Sequence, residues 1–223
     1  MGEPGGGQPP QVLTPTPEAV KVAGGVCHRV KNDFQTIANI LALSSTHSRS
    51  PHDLVESVEG RVVALSLCYT LVGESGRPPA LARLVEEVLR RNLWRGPAHL
   101  RLERHLPEVP LSLRLCSPLS LWLHEIIGNA LRHGLEMVSY PVLDLWAGLD
   151  DQGLTLSVAD NGPGLPPGFH LEDNSHLGLK LAQALAATDL RGSLELQDAR
   201  PGLRAVLQVP AAEYQRLSSE AWW

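Results

Sequence analysis

The sequence reads Cys27-His28-Arg29-Val30-Lys31-Asn32-Asp33-Phe34-Gln35 through its first amphipathic segment. Two stripes with helical spacing run through this segment and its continuation. The apolar stripe consists of Val30, Phe34, Ile37 and Leu41, and the polar stripe consists of His28, Asn32, Gln35 and Asn39. The spacing predicts a helix that packs through its apolar stripe. His28 lies on the polar stripe, so the predicted helix turns it away from the core. Its imidazole is then available to react.

Helix starts on both sides of this segment predict a helical hairpin. A Thr16-Pro17 pair and a Ser50-Pro51 pair each combine an N-cap residue with a proline suited to the first helical turn. The second helix carries an apolar seam formed by Leu54, Val58, Val62, Leu65, Tyr69 and Val72. We expect the hairpin to span residues 16–75 and to pair with a second copy in a four-helix bundle. Packing of the hairpin onto the rest of its own chain is the alternative.

A Gly/Pro-rich linker at residues 73–79 separates the hairpin from a segment of mixed α/β pattern. Helices are predicted over 80–94, 119–133 and 177–188, and strands over 100–103, 142–149, 154–160, 193–197 and 203–209. The predicted fold class is therefore α+β. Its second domain is expected over residues 79–212, and tails are expected at residues 1–15, which read as flexible, and at 213–223.

Composition limits the classes of function. The chain has 223 residues, 43% of them hydrophobic, and a net charge of −5 without a block of Lys or Arg. This balance argues against nucleic acid or an anionic membrane as the main partner. No apolar run approaches the about 18 residues of a membrane span. Cys27, Cys68 and Cys116 form no C-x-x-C pair, so we expect neither a zinc site nor a disulfide framework, and a reducing cytoplasm fits best.

Three polar motifs in the second domain suggest chemistry. Glu125 and Asn129 lie one helical turn apart, where oxygen atoms can hold a divalent cation, although such pairs also occur on solvated helix faces. The segment 160–164, Asp-Asn-Gly-Pro-Gly, follows a strand and is either a tight turn or a close approach to a nucleotide. The segment 176–180, His-Leu-Gly-Leu-Lys, opens a helix whose N-terminus favours phosphate.

The order of these motifs resembles that of sensor histidine kinases. It is His-Arg-x-x-Asn at 28–32, Glu-x-x-x-Asn-Ala-x-x-His at 125–133, Asp-x-Gly-x-Gly at 160–164 and Leu-Gly-Leu-Lys-Leu at 177–181. The chain resembles the His-Arg-x-x-Asn dimerisation subfamily, close to the HWE group, from about residue 20 to 210. The resemblance implies a dimerising helical hairpin followed by a Bergerat-type (GHKL) α/β sandwich that binds ATP.

The resemblance also implies a role for individual residues. His28 would be the phosphoacceptor, Glu125 a candidate base or water-orienting acid, and Asn129 the ligand of a Mg²⁺ ion that bridges the ATP phosphates. Asp160 would read the adenine amine, and residues 165–176 would form the lid. The other nucleotide contacts would be Gly162, Gly164, Leu177, Gly178 and Leu179, with His133 and Lys180 near the phosphates. Asn32 is a candidate for orienting water in a reverse phosphatase reaction.

The predicted function is an ATP-dependent protein-histidine kinase that forms a homodimer and passes its phosphoryl group to the receiver domain of a separate response regulator. No sensor domain is expected within these residues, so a separate upstream sensor protein would supply the input. Because the second glycine box is reduced to Asn-Ser-His-Leu-Gly at 174–178, an inactive phosphotransfer or scaffold protein of the same fold is the alternative. A serine kinase of the anti-sigma type is disfavoured by the hairpin.

Overall fold

The computed structural model describes residues 30–42, 44–45, 50–75, 77–169 and 177–219. The helices are α1 (residues 30–42, with 44–45 also helical), α2 (Pro51–Ser75), α3 (Leu81–Asn92), α4 (Leu113–Asn129), α5 (Leu177–Ala184) and α6 (Ala211–Ser219). The strands are β1 (Arg101–His105), β2 (Val142–Asp150), β3 (Gly153–Asp160), β4 (Ser193–Asp198) and β5 (Leu203–Pro210). A 3-10 turn at Leu93–Arg95 follows α3, and π-helical turns at Ala130–Gly134 and Leu185–Asp189 follow α4 and α5.

The five strands form one sheet in the order β1-β2-β3-β5-β4, in which β1 runs parallel to β2 and the other neighbours are antiparallel. Period-two alternation gives the sheet one apolar face. The central side chains of that face are Leu143, Leu145, Ala147, Leu154, Leu156, Val158, Ala205, Leu207 and Val209, all of them buried. The predicted architecture, a helical N-terminal region followed by a mixed α/β domain, is confirmed.

The most buried helix of the fold is α4, which contacts α2, α3, α5 and α6. It begins at Leu113, six residues before the predicted start at residue 119. The reason is its cap: the Ser112 hydroxyl accepts a hydrogen bond from the Leu115 N–H at 3.3 Å and donates one to the Leu217 carbonyl at 2.7 Å. Leu217 belongs to α6, so a helix occupies residues where a C-terminal tail was predicted.

The hairpin packs on its own chain, which was the alternative for this segment. The predicted stripe of α1 is wrong in part, because Phe34 is 66% exposed and Leu41 is 49% exposed whereas Ile40 is buried. Tyr69 of α2 donates a hydrogen bond to Asp33 of α1 at 2.6 Å. A second face of α2, formed by Arg61, Ala64, Leu67, Cys68 and Leu71, is also buried. The buried side chains of α2 therefore differ from the predicted apolar seam, because α2 packs against two helices, α1 and α4.

The expectation of no disulfide is wrong. Cys68 on α2 and Cys116 on α4 form a disulfide bond across 48 residues of sequence. Spacing along the chain carried no signal for this bond, because only the packing of α2 against α4 brings the two sulfur atoms together. The linker is also shorter than predicted, since α2 continues to Ser75. None of the helices in the described ranges is long and apolar enough to cross a bilayer.

Candidate nucleotide site

A cavity of about 410 Å³ opens at the C-terminal end of α4, between the ends of β3 and β5 and the start of α5. It is lined by Asn129, His133, Gly134, Asp160, Gly164, Leu165, Pro166, Pro167, Gly168, Phe169, Leu179 and Leu203. Five of these residues were predicted to contact a nucleotide, and they come from three separate motifs. They are Asn129, His133, Asp160, Gly164 and Leu179. The folded chain therefore gathers residues that are 50 positions apart in sequence into one concave surface.

The floor of the cavity is Asp160, the last residue of β3, which is 7% exposed. Its Oδ1 accepts hydrogen bonds from the backbone N–H groups of Gly162 at 2.9 Å and Leu203 at 3.4 Å. Burial raises the pKa of the Asp160 carboxyl, and these two hydrogen bonds oppose that increase. Because both bonds use Oδ1, the described hydrogen bonds leave Oδ2 available as an acceptor.

Glycines let the backbone close tightly around Asp160. A Cβ atom on Gly162 would lie 2.1 Å from the Gly134 carbonyl oxygen, and one on Gly134 would lie 2.7 Å from the Asp160 carboxyl carbon. Gly202, with φ of +99°, would place a Cβ 1.8 Å from the Asp160 carbonyl oxygen. Gly134 and Gly202 were not among the predicted site residues. Gly134 had a signal, since it ends a predicted helix, whereas Gly202 had none before the β4–β5 connection was known.

The end of α4 changes from α-helical to π-helical at Ala130–Gly134. A π-helical turn rotates the following side chains relative to a regular helix, and such turns are frequent at functional sites. Here the turn places His133 on the wall of the cavity. Arg132 instead lines a second cleft together with Glu125 and Arg61. Adjacent residues of one motif therefore face two different surfaces.

Glu125 does not line the nucleotide cavity, although it lies one turn before Asn129. It is 3% exposed and is bound by Arg61 of α2, whose Nε donates to Glu125 Oε1 at 2.6 Å and whose Nη2 donates to Oε2 at 3.1 Å. Arg61 Nη1 also donates to the hydroxyls of Ser44 at 2.8 Å and Ser57 at 2.7 Å. On its other side Glu125 meets Gly178, where a Cβ would lie 2.5 Å from Oε2. Arg61 had no signal in the sequence.

The remaining predicted residues lie beside the cavity or outside the described residues. Leu177 and Gly178 open α5 and are half-buried, and Lys180 is exposed on the same helix. These three residues do not line the cavity. His28 lies outside the described residues, as do positions 170–176 of the predicted lid.

Comparison with known proteins identifies the two parts of the chain. Residues 26–104 match the HWE histidine kinase family, and residues 117–213 match the histidine kinase-, DNA gyrase B-, and HSP90-like ATPase family. The chain therefore carries an HWE histidine kinase domain followed by an ATPase domain of that second family. The resemblance inferred from the four sequence motifs is thereby confirmed.

Curated relatives of this chain agree with the domain assignment. It is 29% identical over 198 residues to the sensor histidine kinase PdtaS of Mycobacterium tuberculosis, covering 85% of this chain and 39% of PdtaS. It is 26% identical over 193 residues to blue-light-activated histidine kinase 1 of Erythrobacter litoralis, covering 85% of this chain and 53% of that protein. The chain thus spans about two fifths to one half of the length of these curated relatives.

Solved structures show the same fold. The blue-light activated histidine kinase EL346 of Erythrobacter litoralis superimposes with a TM-score of 0.70 at 20% sequence identity, covering 93% of this chain and 64% of that one. The histidine kinase domain of EL346 gives a TM-score of 0.60 at 17% identity, covering 85% of this chain and 99% of that one. At these identities the likeness concerns the fold alone.

The ATPase domain of this chain implies ATP binding, and the polar residues that line the cavity fit a nucleotide. A buried carboxylate that lines the cavity suits the exocyclic amine of a base. The described residues contain no group of three or more His, Cys, Asp or Glu side chains that could hold a metal ion. Mg²⁺ commonly takes one or two protein ligands and completes its shell with phosphate and water. The Asn129 amide oxygen fits that pattern.

His124, which precedes Glu125, was not among the predicted residues. Its Nδ1 lies 3.3 Å from the Asn92 amide nitrogen, and its ring lies against Gly60 of α2, where a Cβ would be 2.9 Å from Nε2. Burial lowers the pKa of His124 from 6.5 to about 4. The imidazole is therefore neutral at pH 7 and serves as a packed polar group between α2, α3 and α4.

Proposed function

We propose that this protein is an ATP-dependent protein-histidine kinase that phosphorylates His28 and passes the phosphoryl group to an aspartate of a separate response regulator. The observation that carries the proposal is the cavity at the end of α4, which gathers Asn129, Asp160 and Gly164 from two motifs. The family assignment supports an autokinase rather than another ATPase, because the histidine kinase match includes the His28 segment. The cytoplasm, where ATP and response regulators are found, is the compartment this function implies.

Within the proposed site, Asp160 accepts a hydrogen bond from the adenine amine. Gly162 and Gly164 allow the base and sugar to approach the backbone, and Leu179 packs against them. Asn129 supplies an oxygen ligand for Mg²⁺, which, when bound, neutralises developing charge on the phosphoryl oxygens. His133 and Lys180 are the candidates for direct phosphate contacts, His133 from the cavity wall and Lys180 from the exposed side of α5.

The proposed reaction moves one phosphoryl group and one proton. The lone pair of the neutral His28 imidazole attacks the γ-phosphorus in line, a nitrogen–phosphorus bond forms, and the phosphorus–oxygen bond to ADP breaks. The second ring nitrogen then releases its proton. Positioning of His28 against the bound nucleotide supplies most of the rate enhancement, because the phosphoryl transition state requires little covalent chemistry from the protein.

The proposed role of Glu125 requires a movement of α2. A general base must lie within hydrogen-bond reach of the proton it accepts, yet Glu125 is buried and held by Arg61. It can act at His28, as a base or by orienting water, only after α2 moves away from α4. Asn32, four residues after His28 in the sequence, is the subject of a second proposal, in which its amide orients water for dephosphorylation of the receiver. Undiminished receiver dephosphorylation by an Asn32→Ala variant would exclude that role.

Dimerisation follows from the family, and the hairpin offers a surface for it. Phe34, Leu41 and Val55 are exposed apolar side chains on α1 and α2. We infer that a second copy covers this surface in a homodimer. A Phe34→Glu variant is then expected to run as a monomer in light scattering, whereas a Glu substitution at the exposed Met137, outside the hairpin, leaves the mass unchanged.

One observation keeps the alternative of an inactive phosphotransfer or scaffold protein in view, namely the sequestered Glu125. The two functions differ in a single assay. Purified protein is incubated with γ-labelled ATP and Mg²⁺, and the label is tested for loss in acid, because phosphohistidine is acid-labile and phosphoserine is not. The kinase proposal expects acid-labile label on the wild type and none on His28→Ala or Asn129→Ala.

Three other results are informative. No label together with no nucleotide binding favours the scaffold. Acid-stable label favours a serine kinase. Binding of ATP by the wild type without any label, under both reducing and oxidising conditions, would contradict the kinase proposal as stated.

A further inference from the structure

The hairpin and the ATPase domain meet along two antiparallel helices, α2 and α4. Their contacts keep one register along about two and a half turns. The pairs are Gly60 with His124, Arg61 with Glu125, Ala64 with Ser120, and Cys68 with Cys116. In the third pair, the Ser120 hydroxyl donates a hydrogen bond to the Ala64 carbonyl at 2.6 Å. The whole interface is thus one continuous seam with an ion pair at one end and a covalent bond at the other.

The Cys68–Cys116 disulfide is a bond between modules rather than a brace within one. Cys68 lies on the second helix of the hairpin, and Cys116 lies in the first turn of α4, with the linker at residues 76–80 between them. Both residues have no solvent-exposed surface. While the bond is intact, α2 cannot leave α4, so the hairpin is fixed against the helix that carries Asn129.

This arrangement keeps the start of α1 away from the nucleotide cavity. Asn32 lines a cleft with Arg114 and Ser117 at the N-terminal end of α4, whereas Asn129 lies at the opposite end of that helix. A rise of about 1.5 Å per residue places Arg114 and Asn129 about 22 Å apart. His28 precedes Asn32 by four residues, and even a fully extended chain of four residues spans only about 14 Å. We therefore expect phosphotransfer within one chain to need a movement of the hairpin relative to α4.

We propose that Cys68 and Cys116 form a redox switch of the kinase, in which the disulfide holds the hairpin in an inactive position and the two thiols release it. The proposal rests on the proposed kinase function. Disulfides are rare in reducing compartments, where those that occur are usually transient or redox-sensing. The Arg61–Glu125 pair lies in the same seam, so separation of the helices also exposes the carboxylate that the proposed reaction needs.

We assign a peroxide as the class of oxidant that converts the two thiols into the disulfide. One cysteine thiolate attacks the peroxide oxygen–oxygen bond, forming a sulfenic acid and releasing water after protonation. The second thiol displaces a further water from that sulfenic acid, and the sulfur–sulfur bond forms. Two electrons pass from the two sulfur atoms to the peroxide, and two waters leave. A dithiol reductant reverses the state by two successive thiol–disulfide exchanges and becomes a disulfide itself.

Burial adds a kinetic expectation. A reductant reaches sulfur atoms without exposed surface only when the helices separate transiently. Dithiothreitol is therefore expected to reduce the native protein at least about tenfold more slowly than the same protein in urea. Equal rates in the two solvents would contradict the buried position of the bond.

The first test counts thiols under denaturing conditions in protein treated with hydrogen peroxide. The chain has three cysteines, so one thiol is expected after peroxide and three after dithiothreitol. Cys27→Ser provides the matched control, with none after peroxide and two after reduction. Three thiols in peroxide-treated wild type, with intact protein by circular dichroism, would overturn the switch.

The second test measures autophosphorylation with γ-labelled ATP. Reduced wild type is expected to label at least about tenfold faster than oxidised wild type, a one-decade shift of the closed–open equilibrium. Cys68→Ser and Cys116→Ser are expected to label at the reduced rate in both conditions, and Cys27→Ser to behave as wild type. Equal rates in oxidised and reduced wild type would overturn the switch alone.

A readout independent of catalysis separates this proposal from the kinase function. Hydrogen exchange of the amides in the first half of α4 and the facing half of α2 is expected to accelerate on reduction. If reduced wild type does not label but this exchange accelerates, the kinase proposal fails and the clamp stands. If the exchange is the same in both states, the clamp fails.

Discussion

The buried ion pair between Arg61 and Glu125 allows a quantitative prediction. An Arg61→Ala substitution removes all four hydrogen bonds that the guanidinium donates, two of them to the Glu125 carboxylate. Glu125 is 3% exposed, so a charge would remain without a partner in a site closed to water. Removing one partner of a buried pair costs about 3 to 5 kcal/mol of unfolding free energy.

The measurement is urea denaturation of oxidised protein, followed by intrinsic tryptophan fluorescence, to which the fully buried Trp122 contributes. Oxidised protein is needed because the Cys68–Cys116 bond keeps α2 on α4, so Glu125 cannot reach water by detachment of the hairpin. With an m-value of about 2 kcal/mol/M, a loss of about 4 kcal/mol lowers the urea midpoint by about 2 M.

Two variants control for the mutation itself. Arg83→Ala removes an exposed partner of Glu87, in which the arginine side chain is 53% exposed, and should lower stability by at most about 1 kcal/mol. A double variant, Arg61→Met with Glu125→Leu, removes both charges and is expected to recover most of the loss, since apolar replacement of a buried pair is often neutral. The reasoning is refuted if Arg61→Ala costs no more than Arg83→Ala, or if the double variant is as unstable as the single one.

Three further predictions concern α4, the cavity and its glycines. The pKa of His124 is about 6.5 in the unfolded chain and about 4 in the folded protein. The free energy of unfolding should therefore fall by up to roughly 3 kcal/mol as the pH decreases from about 6.5 to about 4, because protonation favours the unfolded chain. His124→Gln should remove this decrease when denaturation is measured at a series of pH values. Asp160→Asn should weaken ATP binding by about ten- to a hundredfold in calorimetry, since a charge-assisted hydrogen bond is lost, and an unchanged affinity would place adenine elsewhere. Gly162→Ala should destabilise the fold by about 1 to 3 kcal/mol, because its Cβ would lie 2.1 Å from the Gly134 carbonyl. Gly73→Ala on α2 meets nothing within 4 Å and should stabilise by up to about 1 kcal/mol, so thermal shifts of the two variants with the same sign would contradict this account.

Much of the fold was accessible from local pattern. The strands at 142–149 and 203–209 were predicted within one residue of their observed ends, because alternation over a half-buried sheet is a strong signal. The start of α4 was missed by six residues, because the Ser112 cap is stabilised partly by the distant Leu217 carbonyl. Residues 213–223 were predicted as a tail, yet a helix covers residues 211–219 and its Leu217 is buried against the domain.

The residues of the candidate site were likewise predicted only in part. Asp160, Asn129 and the glycines of the 160–164 segment were predicted from short motifs, since each residue type is suited to its chemistry in its own turn or helix end. Arg61, Gly202 and the pairing of Cys68 with Cys116 were not, because each acts on a residue 40 or more positions away. No spacing rule links residues that meet only when separate elements pack.

The amino-acid sequence by itself predicted most of the elements, the resemblance to histidine kinases and a set of candidate nucleotide contacts, because all three depend on periodicity and on motifs a few residues long. Only the tertiary structure decided which of those residues share a surface. It placed Asn129 and Asp160 at one cavity and turned Glu125, one turn away from Asn129, into a buried ion pair with α2. Helix periodicity fixes the direction of a side chain relative to its own axis, whereas the neighbour that it meets depends on how the helices pack.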